Sequence, residues 1–263
     1  MANAIDVEAI GLTYGAEASA RRIEALRDVA FAVGEGQFVS IIGPSGCGKS
    51  TLLKIVAALL PPTTGRVAVF GGDAHEARQH RAFGFVFQTP LLFPWRTSLD
   101  NVALMLEVQG LARRERREQA RRYLELVGLS GFEHHRPNEL SGGMQQRVSI
   151  ARALSFDPRI LLMDEPFGAL DAITRDRMGS ELLRIWQRTL KTVLFVTHSI
   201  SEAVFLSDTV ITFTSRPGRV RAVHRIDLPR PRTQETRLSP EFIDYSRILL
   251  KELEGDPSPG EVA

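Results

Sequence analysis

Gly43, Pro44, Ser45, Gly46, Cys47, Gly48, Lys49 and Ser50 follow the pattern G-x-x-x-x-G-K-[ST], with Thr51 leading into an apolar stretch. Glycines let a backbone approach phosphate oxygens closely, and the N–H groups that open a following helix point at the same anion. Lys49 is the residue type that reaches the β- and γ-phosphates of a nucleotide, and the Ser50 hydroxyl suits Mg²⁺. The alternative is an ordinary glycine-rich turn. Against it, the whole motif sits between the strand-like FVSII and the helix-like TLLKIVAALL, the two elements a phosphate loop requires. Cys47 reads as a small residue inside the loop, or as a redox centre if the helix N-terminus lowers its pKa.

A second constellation lies further along the chain. Ile160 to Met163 form an apolar run that ends in Asp164 and Glu165. Open α/β sheets place ligands at strand tips, so Asp164 suits a magnesium coordination sphere facing the phosphate loop. Glu165 is expected to point another way, because side chains alternate along a strand, and to orient or deprotonate the attacking water. His198 follows the run TVLFVT, where it could touch the γ-phosphate or hold the water, or simply cap a strand.

These residues need a sheet to hold them. Phe38 to Ile42, Phe83 to Phe87, Ile160 to Met163, Thr192 to Val196 and Thr209 to Phe213 read as strands. Several are continuously apolar, as in a largely parallel sheet covered on both faces. Helical patterns at Thr51 to Leu60, Arg113 to Val127, Gln145 to Ser155, Arg175 to Thr189 and Ser201 to Leu206 alternate with them, which predicts an α/β fold. The first 36 residues and Gly65 to Phe70 read as short β-prone segments of an antiparallel annex. Residues from about Thr89 to Glu139 carry helical patterning and no strand, as an inserted helical lobe would. The Pro-, Gly- and charge-rich end EGDPSPGEVA predicts disorder over the last ten residues or so.

Bulk properties exclude several classes. Lys plus Arg number 33 against 31 Asp plus Glu, so the net charge of +2 gives no general push toward nucleic acid. The single cysteine cannot form an internal disulfide. No stretch approaches about 18 uninterrupted apolar residues, and MANAIDVEAI lacks the basic start and apolar run of a signal peptide. The expectation is a chain that does not span a membrane and works at one only if a partner holds it there. With no internal repeat, it reads as one nucleotide-binding unit.

At Leu140 to Arg147 the chain reads LSGGMQQR, and here it resembles the ATP-binding subunits of ABC transporters. LLFPWRTSLDNV, SISEAVFLSD and SRPGRV are similar to the importer branch serving nitrate, sulfonates, taurine and related solutes, including pyrimidine precursors of thiamine. The resemblance implies a P-loop NTPase (RecA-like) core with a β-rich N-terminal annex and an inserted α-helical subdomain. Its divisions are 1–88 for the first part of the core, 89–157 for the helical subdomain, 158–230 for the rest of the core and 231–263 for a C-terminal extension. It implies ATP and Mg²⁺ as cofactors, with Lys49, Glu165, His198 and Gln88 catalytic and Ser50, Gln88 and Asp164 at the metal.

By the same resemblance, Tyr14 stacks on adenine across an insertion, AEASARR, unless it is a core tyrosine. Ser141, Gly142 and Gly143 touch the γ-phosphate held by an opposite protomer, although Ser141 is also a plain helix N-cap. Gly168 to Asp171, GALD, forms a loop across that dimer interface. Pro94, Trp95 and Arg96 dock a membrane partner, unless Trp95 packs its own lobe. The Arg-rich stretch Ala112 to Arg122 reads as the solvated face of an amphipathic helix. The implied partners are a transmembrane permease, a second ATP-binding subunit taken as another copy of this chain and, indirectly, a solute-binding protein. No nucleic acid is expected, and the implied location is peripheral, at the cytoplasmic face of the inner membrane. A soluble ABC-type ATPase acting on DNA or ribosomes would carry long coiled coils or two ATPase units, and a nucleotide sensor would lack the acid pair.

Overall fold

Residues divided between a buried and a more exposed face make the long N-terminal strands, and short apolar runs make the central sheet. The computed structural model describes residues 3–15 and 22–254. The expected disordered end and nearly all of AEASARR lie outside those residues. β1 (Asn3–Tyr14) and β2 (Ile23–Gly34) form a long antiparallel pair, then β3 (Phe38–Ile42) leads through the phosphate loop into α1 (Lys49–Val56). β4 (Thr64–Val69) and β5 (Gly72–Asp73) complete an antiparallel sheet of order β2-β1-β4-β5. The annex is antiparallel as expected, but its first two strands are twice the length of those in the core, not short segments.

After α2 (Ala74–Gln79) and β6 (Phe83–Val86), the chain leaves the sheet for α3 (Ser98–Val102), α4 (Leu104–Val108), α5 (Arg113–Leu126) and α6 (Gly142–Leu154). It returns as β7 (Ile160–Asp164), α7 (Ala172–Thr189), β8 (Thr192–Val196), α8 (Ile200–Leu206), β9 (Thr209–Phe213) and β10 (Val220–Arg225), and closes with α9 (Pro240–Glu254). The main sheet has the order β10-β9-β3-β8-β7-β6, parallel except for β10. Every residue of β3 and β8 is buried. Val39, Ile41, Leu194 and Val196 face a core shared with the annex and α1, while Phe38, Ile42, Val193 and Phe195 face one shared with α6, α7 and α8. That period-2 division makes three layers, with the sheet in the middle.

Polar residues set the helix starts. Thr97, Ser141, Asp171 and Ser199 each accept a backbone N–H from the first turn of α3, α6, α7 and α8. The last segment differs from the expectation of a plain Pro- and charge-rich extension. Arg232 is buried there and donates to the carbonyls of Val204, Phe205 and Ser207 at the end of α8, and of Ile226 and Leu228. The cost of desolvating a guanidinium is offset by those orphan helix-end carbonyls, and burial still pushes its pKa down to about 10.

Candidate functional site

All the strand tips that sequence marks as reactive lie along one edge of the parallel sheet. Gly43 follows β3, Asp164 ends β7, His198 follows β8 by two residues, and Gln88 follows β6 by two. In the sheet order β8 lies between β3 and β7, so the phosphate loop and the acid pair flank His198. Ligands of open α/β sheets bind at this carboxyl edge.

Backbone geometry shapes the loop. Gly48 has φ +102, and a β-carbon there would press on Leu26 Cδ2 at 2.7 Å and the Ala25 carbonyl at 3.0 Å. The helix starts at Lys49, two residues earlier than sequence patterning placed it, so its first free N–H groups belong to the loop itself. Lys49 is 5% exposed, and its Nζ donates to the carbonyls of Gly43 at 2.8 Å and Pro44 at 2.9 Å. Cys47 is buried against it, and burial pushes its thiol pKa up, opposed by the nearby Lys49 charge. Burial thus acts against the lowered thiol pKa that a redox role at a helix terminus calls for.

Ser50 Oγ donates to Asp164 Oδ1 at 2.7 Å, so α1 and the tip of β7 meet across the tip of β8. Burial raises the Asp164 pKa, the Ser50 hydrogen bond opposes it, and the neighbouring Glu165 charge adds to it. Two oxygen donors of this hardness, one of them a carboxylate that burial disfavours as an anion, fit a small divalent cation. Among the described residues no three His, Cys, Asp or Glu side chains converge as a metal cluster. A Mg²⁺ held chiefly by phosphate oxygens and water needs no more than one or two protein ligands.

Glu165 diverges from Asp164 for a different reason than strand alternation. It lies beyond the strand with φ 44, a left-handed conformation that costs a non-glycine residue about 1–2 kcal/mol. Its N–H donates to Val196 O at 2.9 Å and its carbonyl accepts Gly168 N at 3.0 Å, which hold the turn. So placed, its Oε2 is 3.2 Å from His198 Nδ1. Gln88 is exposed, and its Nε2 approaches Gly168 from the side on which the Glu165 carboxylate lies.

Tyr14, Gly46, Gly48, Lys49, Ser50, Thr51 and Glu165 line one cleft of about 330 Å³, with Ile23, Ala25 and Arg216. Tyr14 is 43% exposed, with its hydroxyl 3.1 Å from Thr51 Oγ1, which removes the core-tyrosine alternative. A larger cleft of about 440 Å³ lies elsewhere, between Phe70 and Arg159, and contains no motif residue, so the loop rather than the volume identifies the site. Arg216 escaped sequence analysis although it lies in SRPGRV. Its guanidinium donates to Gly46 O at 3.0 Å, and two residues on, a β-carbon at Gly218 would collide with the Cys47 carbonyl. The signal was the Pro-Gly pair after β9, which marks a turn brought against backbone.

Ser141, Gly142 and Gly143 do not line this cleft. They open α6 with Ser141 and Gly142 exposed, and Gly142 and Gly143 stand beside Leu170 and Thr174. α6 also grips the chain after Gln88, because Arg152 donates to the carbonyls of Leu91 and Pro90 at 2.8 Å each.

Comparison with known proteins gives the family and the fold. The family described as ABC transporter matches residues 26–168. An uncharacterized ABC transporter ATP-binding protein of Methanocaldococcus jannaschii is 49% identical over 245 residues, covering 93% of this chain and 90% of that protein. The taurine import ATP-binding protein TauB of Burkholderia pseudomallei is 45% identical over 236 residues, covering 88% and 90%. Among solved structures, an ATP-binding cassette in a dimeric post-hydrolysis state bound to ADP and phosphate matches with a TM-score of 0.74 at 36% identity, covering 86% of this chain and all of that one.

Proposed function

This chain belongs to the ATP-binding subunits of ABC transporters of the nitrate, sulfonate and taurine importer family, and from that premise we propose that two copies sandwich ATP and drive uptake of a small solute through a separate permease. It is an ATPase. The observation that carries the site assignment is the Ser50–Asp164 contact at 2.7 Å, which joins the phosphate loop to the acid pair.

In this reading the phosphates lie against the N–H groups of Gly46 to Thr51, Tyr14 covers the adenine, and Lys49 turns from its own loop carbonyls to the β- and γ-phosphates. Ser50 and Asp164, with Gln88 at its edge, would hold Mg²⁺, whose charge would offset that of the phosphate oxygens. Glu165 takes a proton from the attacking water, and His198 fixes the Glu165 carboxylate and faces the γ-phosphate. Ser141 and Gly142, exposed, and Gly143 beside them, all three absent from the cleft of their own chain, complete the site of the second copy. ATP then holds the pair together until it is hydrolysed.

Residues 89–157 act as the lever, with the permease seated on a cleft of about 370 Å³ walled by Phe83, Phe85, Phe87, Leu91 and Phe93. Beside it Trp95 is 68% exposed on a loop pinned by buried Asn101, whose Nδ2 donates to the carbonyls of Phe93, Arg96 and Thr97. A fixed aromatic is a low-entropy interface anchor, and its exposure speaks against packing within its own lobe. No helix among the described residues is long and apolar enough to cross a membrane, which suits attachment through the permease at the cytoplasmic face. The taurine import relatives favour a small sulfonate-like or related solute, delivered by a solute-binding protein.

The test is partnership. The chain should co-purify with a permease, and vesicles holding both should accumulate solute only with ATP. Co-purification with nucleic acid or ribosomes instead would overturn the transport reading while leaving the ATPase intact.

A further inference from the structure

The segment after β10 crosses back over α7 and α8 toward the turns that carry the reacting groups. Gln234–Leu238 form a short 3-10 turn there, and Gln234 Nε2 donates to Ser180 Oγ at 3.0 Å. From this turn Arg237 inserts between the second turn of α7 and α8, with 10% of its side chain exposed. Its Nη1 donates to Ser201 Oγ at 2.6 Å and lies 3.3 Å from Asp176 Oδ1, while the guanidinium rests on the Phe205 ring at 3.9 Å.

A second buried charge stands next to it. Glu202 is 4% exposed, and its Oε2 accepts the Thr197 hydroxyl at 2.6 Å. Its Oε1 is 3.5 Å from Arg175 Nε, within ion-pair reach although that nitrogen makes no hydrogen bond. Arg175 Nη2 donates to Leu170 O at 3.0 Å, in the turn of residues 168–171. Thr197 immediately precedes His198 and Ser201 follows it by three. The cluster therefore touches both sides of His198 and the 168–171 turn, yet none of its members lines the nucleotide cleft.

We propose that Arg237, supplied by the C-terminal extension, is a positioning residue for ATP hydrolysis: with Asp176, Glu202 and Arg175 it locks the His198 turn to the 168–171 turn. The inference rests on the assignment of His198 and Glu165 to the reaction. A core position needs no charge to be stable, since apolar residues of similar volume do as well or better. What a buried ionic cluster adds is one allowed geometry. The 3.2 Å contact from His198 to Glu165 depends on the turn between Thr197 and Ser201, and a displacement of about 1 Å is enough to cost a reaction much of its rate. Removing Arg237 leaves Asp176 and Glu202 without one of their cations and frees Ser201, so that turn relaxes while the phosphate loop, on the far side of the sheet tip, keeps its shape.

The test uses the full-length chain with four variants, Arg237→Ala, Arg237→Lys, Ser201→Ala and His198→Ala, measuring ATP affinity, kcat of phosphate release and melting temperature. Arg237→Ala should lower kcat about tenfold with the ATP Kd changed less than about twofold, and Arg237→Lys should recover most of the rate. Ser201→Ala removes one hydroxyl with little change in packing and should lower kcat about threefold in a chain that stays folded, its melting temperature falling by no more than the loss of one hydrogen bond requires. Combined with His198→Ala, neither loss should add in full, because both act through that ring. Wild-type kcat in folded Arg237→Ala and in Ser201→Ala, or full additivity with His198→Ala, would overturn the proposal. If Arg237→Ala does not fold, Ser201→Ala and its combination with His198→Ala decide alone. A wild-type rate in His198→Ala overturns the assignment of His198 and this proposal with it, whereas a slow His198→Ala beside normal Ser201→Ala and Arg237→Ala removes the proposal only.

Discussion

Glu165 combines a chemical role with a strained backbone, and substitutions can separate the two. Glu165→Gln keeps shape and backbone but cannot take a proton. A general base contributes about 10²–10⁴ in rate, equivalent to roughly 3–5 kcal/mol of barrier, so kcat should fall by at least about a hundredfold with ATP binding retained. Glu165→Ala and Glu165→Gly both lack the side chain and differ only in a β-carbon at φ 44. In an ordinary conformation alanine would be the more stable of the two by about 0.5–1 kcal/mol, through the unfolded chain's entropy. In the left-handed region the β-carbon costs about 1–2 kcal/mol, so the order reverses and glycine should be the more stable by about 1 kcal/mol. For a chain of this size that is roughly 2–4 °C in melting temperature. Thermal unfolding without nucleotide, alongside phosphate release at saturating ATP, reads both effects. Hydrolysis by Glu165→Gln within about twofold of wild type would remove Glu165 as base. Alanine melting above glycine would refute the strained turn that aims it.

Three further outcomes follow from the same structure. Burial raises the Asp164 pKa, so the folded chain holds that proton more tightly than the unfolded one. The stability it gives is full below the ordinary aspartate pKa and is lost as pH rises through the raised value. Asp164→Asn, uncharged and still able to accept from Ser50, should therefore melt higher than wild type at pH 7 without nucleotide, and lose Mg²⁺-dependent hydrolysis; a lower melting point would contradict the sign. Tyr14→Ala should weaken ATP binding about tenfold in a fluorescence titration, since an aromatic stack is worth about 1 kcal/mol or more, and unchanged affinity would free Tyr14 from the adenine role. Arg232→Ala strands the carbonyls of Val204, Phe205 and Ser207 and should cost about 3–5 kcal/mol in urea unfolding, where a loss below about 1 kcal/mol would show those contacts to be idle.

Much of this was legible in the sequence because local rules and tertiary needs agree. FVSII is apolar at every position since β3 is covered on both faces, and Ser141, Asp171 and Ser199 announce the helices they cap. The phosphate loop is legible because only glycine tolerates the Gly48 backbone and its closeness to Ala25. Long-range placement was not legible. Nothing near Arg216 in sequence says that its guanidinium reaches Gly46, 170 positions away. Nor does PRPRT disclose that Arg232 is buried under α8, because a Pro- and charge-rich run normally marks solvent and the orphan carbonyls that recruit it lie 25 to 28 residues earlier. Glu165 was legible as a carboxylate at a strand tip, yet its direction comes from a left-handed residue that no strand-alternation rule anticipates.

The central claim is that each nucleotide site is shared by two chains, the loop of Lys49 from one and Ser141 to Gly143 from the other. Lys49→Ala and Ser141→Arg chains, each purified alone, give dimers in which both sites are broken. Mixed in equal amounts, about half of the dimers pair one chain of each kind and regain one intact site, made of the Ser141→Arg chain's loop and the Lys49→Ala chain's helix start. Phosphate release by that mixture is the measurement. Activity well above the sum of the two separate variants is the predicted result, and a rate no greater than that sum would contradict the shared site.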